Sequence, residues 1–261
     1  MKASQKAMIY KDVKEVLGSS QMLIPMIIVP VMMAFILPLG LMIGAQFGVT
    51  GLNGMDVMMK MLSKNFENLN NSQILIEIGL NYMFPVFFLL IPVMASSIIG
   101  ASSFIGEKER KTMESLLYTP ISIRELFVAK VLGTAVPAYA VTLISFIIFG
   151  LVIDVGGWFY FGRFIFPNAK WIILIIWVVP AITLLAINFM VMVSAKANTF
   201  QEAQQMSAFI IIPIIFLPIG QMTGLFMLNS SVLLALGAGV YILDYFLMKN
   251  ATSKFVPEKL V

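Results

Sequence analysis

The residue types that most often carry enzymatic or metal chemistry are rare in this chain of 261 residues. It has no cysteine and no histidine, which excludes disulfides, thiolate chemistry, the usual zinc sites and any catalytic triad that needs an imidazole. Within the segments expected to cross a membrane, Asp244 is the one acidic residue, and we expect it to reach the interface near Lys249. No carboxylate pair is then available there for general acid–base catalysis. We predict no catalytic residue, no metal ligand and no cofactor bound by this chain.

The most informative polar stretch is a charged segment, residues 106–130, with the sequence GEKERKTMESLLYTPISIRELFVAK. It is not a phosphate-binding loop, because the second glycine and its spacing are missing and its acidic side chains would repel phosphate. Met113, Leu116 and Leu117 fall on one helical face, beside a block of mixed charge at 107–111. Such a helix is suited to docking into another protein, and equally to packing beneath the helices of its own chain.

The overall composition requires lipid as the solvent. The chain is 60% hydrophobic and 11% charged, with a mean hydropathy of +0.96, whereas soluble domains are about 25% charged. We therefore predict a single membrane domain over residues 1–261. The first twenty residues are too polar for a cleavable signal peptide, so the first apolar segment is expected to remain as a span.

Six apolar segments have the length of a membrane span, which needs roughly 20 helical residues for a hydrocarbon core of about 30 Å. All are predicted to be helices, because backbone groups in lipid must be satisfied within the segment. The predicted fold class is therefore an all-α membrane protein with six transmembrane helices. The predicted spans are 21–45, 78–104, 127–153, 171–193, 206–227 and 231–248.

The lysines and arginines predict the orientation. Four precede the first span, five flank the second connection, one lies in the fourth connection and three follow the last span, so 13 of the 17 share one side. That side is predicted to be cytoplasmic, with both termini inside. The net charge of +4 is thus explained by membrane topology, and we predict no nucleic-acid partner.

The segments flanking the spans carry helix signals. Residues 1–18 predict an interfacial helix with an apolar stripe, ended by Gly18, and Ser19 or Ser20 can cap the first span. Ser122 with Glu125, and Thr199 with Glu202, fit capping boxes at helix starts. A further helix is expected on the outer surface within 46–73. Two prolines, at 213 and 218, are expected to bend or break the fifth span.

Polar residues inside the spans are candidates to line a translocation path. The alternative is that they are ordinary polar groups at helix–helix contacts, as small and hydroxyl-bearing residues commonly are in membrane proteins. The candidates are Ser96, Ser97, Thr142, Ser145, Thr183 and Asn188.

The charged segment resembles the cytoplasmic signature of ABC type-2 permeases, in particular of single-domain sodium- and drug-exporter permeases. In that signature an acidic-Glu-Arg block leads to Thr-x-Glu-x-Leu-Leu, then to a proline, and then to Glu and Lys at the start of the next span. This chain has Lys111 where many relatives have glycine. The matching residues are Glu107, Glu109, Arg110, Thr112, Glu114, Leu116, Leu117, Pro120, Glu125 and Lys130.

The resemblance implies a permease subunit with a fold like that of type V ABC exporters, in a prokaryotic cell membrane. Two copies, or one copy and a paralogue, would pair with separate ABC ATPase subunits, which would bind ATP and magnesium. Residues 106–118 would be the coupling helix that contacts the ATPase. The contact residues would be Glu107, Glu109, Arg110, Thr112, Met113, Glu114, Leu116 and Leu117.

Two other classes remain open from the residues alone. The chain has 20 methionines, and those at 55, 58, 59 and 61 cluster outside the predicted spans. Thioether ligands favour Cu(I), so a metal-handling membrane protein is one alternative, although methionine is also an ordinary flexible filler. A membrane scaffold or sensor without transport is another. The spans do not identify a cargo, and they do not separate a homodimer from a heterodimer.

Overall fold

The computed structural model describes residues 3–47, 69–109 and 123–254, and in these ranges the chain is helical, with no strands. Six of the helices are long and apolar enough to cross a membrane, which confirms the predicted fold class. The interfacial segment forms α1 (Ala3–Gly18), and the six long helices are α2 (Ser20–Gln46), α3 (Asn71–Gly106), α4 (Ile123–Phe161), α5 (Ala169–Ser194), α6 (Phe200–Met222) and α7 (Ser230–Lys254).

Two helices extend well beyond the predicted spans at one end of the bundle. Helix α3 begins at Asn71 because Asn70 and Gln73 form a capping box, each side chain accepting from the other residue's backbone N–H at 2.9 and 3.0 Å. Helix α4 continues to Phe161 and is followed by Gly162 in a left-handed conformation, with φ of 63°. Hydropathy marks only the lipid-facing part of a helix, whereas polar caps and glycine determine where it ends.

The fifth span differs from its prediction at both ends. Helix α6 begins at Phe200, where the Thr199 hydroxyl accepts from Glu202 N at 3.2 Å, and it ends at Met222, before Gly224 at φ of 74°. Pro218 lies inside the helix, and a short 3-10 segment, Ala208–Ile210, precedes the last part. The prolines therefore do not break this span, since helical structure continues past both.

Helix α1 forms as predicted and ends at Gly18. Near its end Val16 is buried within the chain, while Leu17 is exposed at its surface. Val16 packs in a small cluster with Met26 of α2 and Ala138 of α4. Ser19 is the residue before α2, but its side chain makes no capping hydrogen bond.

An aromatic cluster joins helices α3, α4 and α5. Trp171 of α5 is 0% exposed, and its ring centroid lies 5.3 Å from Phe88 of α3 and 4.7 Å from Phe149 of α4. Its indole N–H donates to the carbonyl of Leu80 at 3.1 Å. That carbonyl lies in a π-helical segment, Gly79–Met83, where the widened turn leaves the backbone open to an outside donor.

Replacing Trp171 with alanine is expected to lower the free energy of unfolding by about 3–5 kcal/mol, the usual cost of removing a large buried aromatic side chain. Trp158→Ala is the matched control, because Trp158 is 54% exposed and its loss is expected to change stability by less than about 1 kcal/mol. Unfolding of the purified chain in mixed detergent micelles measures both. Equal losses in the two variants would contradict the importance of the cluster.

Candidate functional site

The charged segment is described only at its two ends. Helix α3 runs on through a helical turn, Glu107–Glu109, and the chain resumes at Ile123, where α4 begins. Ser122 of the first predicted capping box lies outside the described residues. So do most of the predicted ATPase-contact residues, namely Arg110, Thr112, Met113, Glu114, Leu116 and Leu117.

A buried lysine fixes the first end of this segment to the neighbouring helix. Lys130 of α4 is 0% exposed, and its ammonium group donates to the carbonyl of Ser103 and lies 5.5 Å from the centre of the Phe104 ring. Both residues belong to a π-helical end of α3, Ala101–Gly106. The positive charge is stabilised there, because the carbonyl end of a helix carries partial negative charge. Lys130 therefore holds the end of α3 on α4.

Glu109 ties the same end to a third helix. Its carboxylate accepts from the backbone N–H of Phe200 at 3.0 Å, at the first turn of α6, where the free N–H groups of a helix favour an anion. Thr199 caps this turn, and Glu202 accepts from the N–H of Asn198 at 2.9 Å. Of the capping box predicted here, the bond from Glu202 N–H to the Thr199 hydroxyl is present. The Glu202 carboxylate accepts from the N–H of Asn198 and not from that of Thr199. The sequence signalled the helix start but not the part played by Glu109.

These contacts attach the end of α3, where the charged segment begins, to α4 and α6. The ends of α3, α4, α5 and α6 share one apolar cluster, which includes Phe104, Phe127, Val193 and Ala203. Lys130 and Glu109 add directional bonds at its edge. A displacement of the segment would therefore move several spans together.

The six predicted path residues are all buried within the chain. The hydroxyls of Thr142 and Thr183 donate to carbonyls four residues earlier, at 2.9 and 2.7 Å, as is usual for threonine in apolar helices. The hydroxyls of Ser96, Ser97 and Ser145 have no hydrogen-bond partner in the described part of the chain. They lie on α3 and α4, which pack closely together with α5.

Small residues allow this close packing. A side chain at Gly100 of α3 would meet Met190 of α5 at 3.3 Å and Thr134 of α4 at 3.8 Å. Gly100 therefore lies where α3 meets two neighbouring helices, and its lack of a side chain permits the close approach.

Asn188 of α5 pairs with an acidic residue from another helix, and this corrects one expectation. Asp244 of α7 does not reach the interface, because it is buried, with 5% of its surface exposed. Its Oδ1 accepts from Asn188 Nδ2 at 3.0 Å. The two residues are far apart in sequence, so periodicity within either helix could not reveal the pair.

At the opposite end of the bundle lies a polar cluster that sequence reasoning missed. Asn168 donates to Asn81 Oδ1 at 2.6 Å, and Asn81 donates to the carboxylate of Glu77. The ammonium group of Lys170 lies 4.0 Å from the centre of the Tyr82 ring, a cation–π arrangement. The available signal was the group of polar residues flanking the second and fourth apolar runs.

No group of three or more histidine, cysteine, aspartate or glutamate residues that could hold a metal occurs within 3–47, 69–109 and 123–254. The four clustered methionines of the metal-handling alternative, at 55–61, lie outside these ranges. Most of the range 46–73, in which a surface helix is expected, lies outside them as well, since only 46–47 and 69–73 are described.

The fold and these contacts define a multi-pass helical membrane protein. Its sequence matches the profile of the ABC-2 family transporter proteins over residues 7–258, and the chain belongs to that family. It is therefore a permease component of an ABC transporter, and a transport subunit rather than an enzyme. No curated protein and no solved structure matches the chain.

Substituting methionine for Lys130 is expected to loosen the end of α3, because Met keeps the length of the side chain but cannot donate to Ser103. A hydrogen bond from a charged group contributes about 2 kcal/mol, so amide hydrogen exchange over 101–109 should become faster. Lys196→Met is the control, since Lys196 is an exposed lysine in the connection between α5 and α6. Unchanged exchange in Lys130→Met would show that apolar packing alone holds this end.

Proposed function

We propose that this permease forms the translocation path of an ATP-driven exporter as a dimer, made of two copies or of one copy and a paralogue. A separate ABC ATPase subunit would bind ATP and magnesium and drive the cycle. The observation that carries the proposal is the attachment of the charged segment to the bundle, because Lys130 and Glu109 connect its beginning to α4 and α6. A segment that only closed a loop would not need this connection.

The proposed coupling acts through differential contacts. Residues 106–118 would be the coupling helix that the ATPase binds, through contacts that differ between the nucleotide states of the ATPase. A ligand or partner shifts a two-state equilibrium only by such a difference in affinity. The spans then move as rigid bodies, because the ends of α3, α4, α5 and α6 share one apolar cluster.

The proposed path lies between two permeases and uses the polar residues inside the spans. Within one chain the three unpartnered serines, Ser96, Ser97 and Ser145, are enclosed between helices. To reach a path between two permeases, these hydroxyls would need α3 to separate from α4 and α5 away from the apolar cluster that joins the ends of these helices. The hydroxyls would then meet cargo or water in place of the partners they lack.

The proposed setting is a prokaryotic cell membrane with both termini in the cytoplasm. Support comes from the distribution of lysine and arginine. The fold adds that α1, the charged segment and the start of α6 belong to the same end of the bundle, through contacts of α1 with α4 and of Glu109 with Phe200.

This orientation can be tested with single cysteines, because the chain has none of its own. Arg163→Cys, between α4 and α5, should react with a membrane-impermeant maleimide applied to intact cells. Lys196→Cys, between α5 and α6, should react only after the cells are permeabilised. Both positions are exposed in the structure, so accessibility within the protein is matched. The reverse pattern would place the charged segment outside the cell and overturn the proposed function.

Charge reversal in the coupling helix is expected to detach the ATPase without unfolding the spans. Glu114→Lys and Arg110→Glu should each reduce co-purification of the ATPase by about tenfold or more, since breaking one close charge pair in an interface costs 2 kcal/mol or more. Lys196→Glu, a charge reversal elsewhere on the same face, should leave the complex intact.

Two further measurements complete this experiment. The unfolding midpoint of each purified permease variant separates detachment from misfolding. The ATPase activity of the native complex with candidate cargoes then tests transport and identifies the cargo class. Normal recovery of an active ATPase with both coupling-helix variants would argue against the proposed interface.

A further inference from the structure

The pair formed by Asp244 and Asn188 is the one place in the described spans where a buried carboxylate has an oxygen without a partner. Asp244 lies on α7 with 5% of its surface exposed. Its Oδ1 accepts from Asn188 Nδ2 at 3.0 Å, and its Oδ2 is enclosed with no hydrogen-bond donor in the described residues. Buried ionisable groups inside a membrane are costly and are functional by default.

Among the described residues of the surrounding helices, no cation contacts this carboxylate. Helix α5, the main neighbour of α7, has no titratable side chain between Trp171 and Ser194, and its Lys170 lies at the opposite end, over the Tyr82 ring. On α7 itself, Lys249 is exposed. Tyr241, three residues earlier on α7, lies close enough to interact electrostatically with Asp244, and Tyr139 of α4 interacts in turn with Tyr241. At the inner end of α6, Glu202 is exposed.

An ionised Asp244 would therefore be a buried charge held by a single neutral amide donor. The effective cost of burying an unpaired ion is several kcal/mol. One added proton removes this cost and needs no additional space, whereas a metal cation would need several oxygen ligands around an enclosed atom. The amide also fits the neutral acid, because the carbonyl oxygen of a carboxylic acid accepts a hydrogen bond.

We propose that Asp244 is a proton-binding site within the membrane, with the proton on Oδ2 and Oδ1 accepting from Asn188. The step is a simple ionisation: the O–H bond at Oδ2 breaks, its electron pair stays on the carboxylate, and the proton passes to water. It occurs when α5 and α7 separate and water reaches the carboxylate. The proton therefore stabilises the closely packed arrangement of the two helices, and its loss stabilises the opened one.

Infrared spectroscopy of the full-length permease in lipid tests the site directly. At near-neutral pH the wild type should show a carbonyl stretching band of a protonated carboxylic acid that is lost in D244N, an isosteric variant that stays neutral. Asn188→Leu removes the donor to Oδ1, so the same band should shift to higher frequency. Glu202→Gln, which changes an exposed carboxylate, should leave the band in place.

The outcomes are decisive even if D244N does not fold. A band that shifts in Asn188→Leu assigns the proton to this pair without D244N. Absence of any acid band sensitive to either substitution would overturn the proposal, because Asp244 would then be ionised in the packed state.

A second experiment tests the consequence for transport, and this consequence rests on the proposed function. ATPase activity of the native complex should change with pH in the wild type, and the part of that change due to Asp244 should disappear in D244N. If the band is present but no ATPase accompanies the permease, the proton site stands and the proposed function fails. If an active complex forms but the band is absent, the proposed function stands and the proton site fails.

Discussion

The structure depends on one constraint, which is that lipid offers no hydrogen bonds, so every polar group inside the membrane must find its partner in the protein. The backbone meets this requirement by forming long helices. Thr142 and Thr183 meet it by donating back to their own helices. Trp171 meets it by donating to a carbonyl that a π-helical turn has left open. The groups that fail to meet it, such as Oδ2 of Asp244, are consequently few and informative.

The same constraint separates the ends of the bundle from its middle. Directional polar contacts join the ends through Lys130 and Glu109 on one side and the Asn81–Asn168 pair on the other. The middle is held by apolar packing and close approach at small residues such as Gly100, together with separate polar bonds such as that between Asn188 and Asp244. Because apolar contacts between helices have no preferred direction, a second packing of the middle would bury the same apolar side chains, whereas a rearrangement of the ends would break these directional bonds. Alternation between such packings is what a transport subunit requires.

These physical differences decide what could be predicted from the sequence. The number and order of spans follow from hydropathy, since each apolar run must be a helix of membrane length. The helix ends do not follow from it, because α3 starts at the capping box of Asn70 and α4 stops at Gly162. The pairing of Asn188 with Asp244 joins helices far apart in sequence. Glu109 was expected to face a partner protein, and its bond to Phe200 depends on how α3 and α6 meet.

The buried proton site at Asp244 and the end of α3 at residues 101–109 are connected through helix α5. Asn188 contacts Asp244, and Met190, half a turn further along α5, packs against Gly100 of α3. Gly100 lies one turn before Ser103, the residue whose carbonyl Lys130 holds. Contact alone does not establish coupling, which needs an element with two arrangements that both sites bias. The packing of α5 against α3 and α7 is the contact in this structure that a shift of α3 would disturb, at Met190 and with it at the enclosure of Asp244.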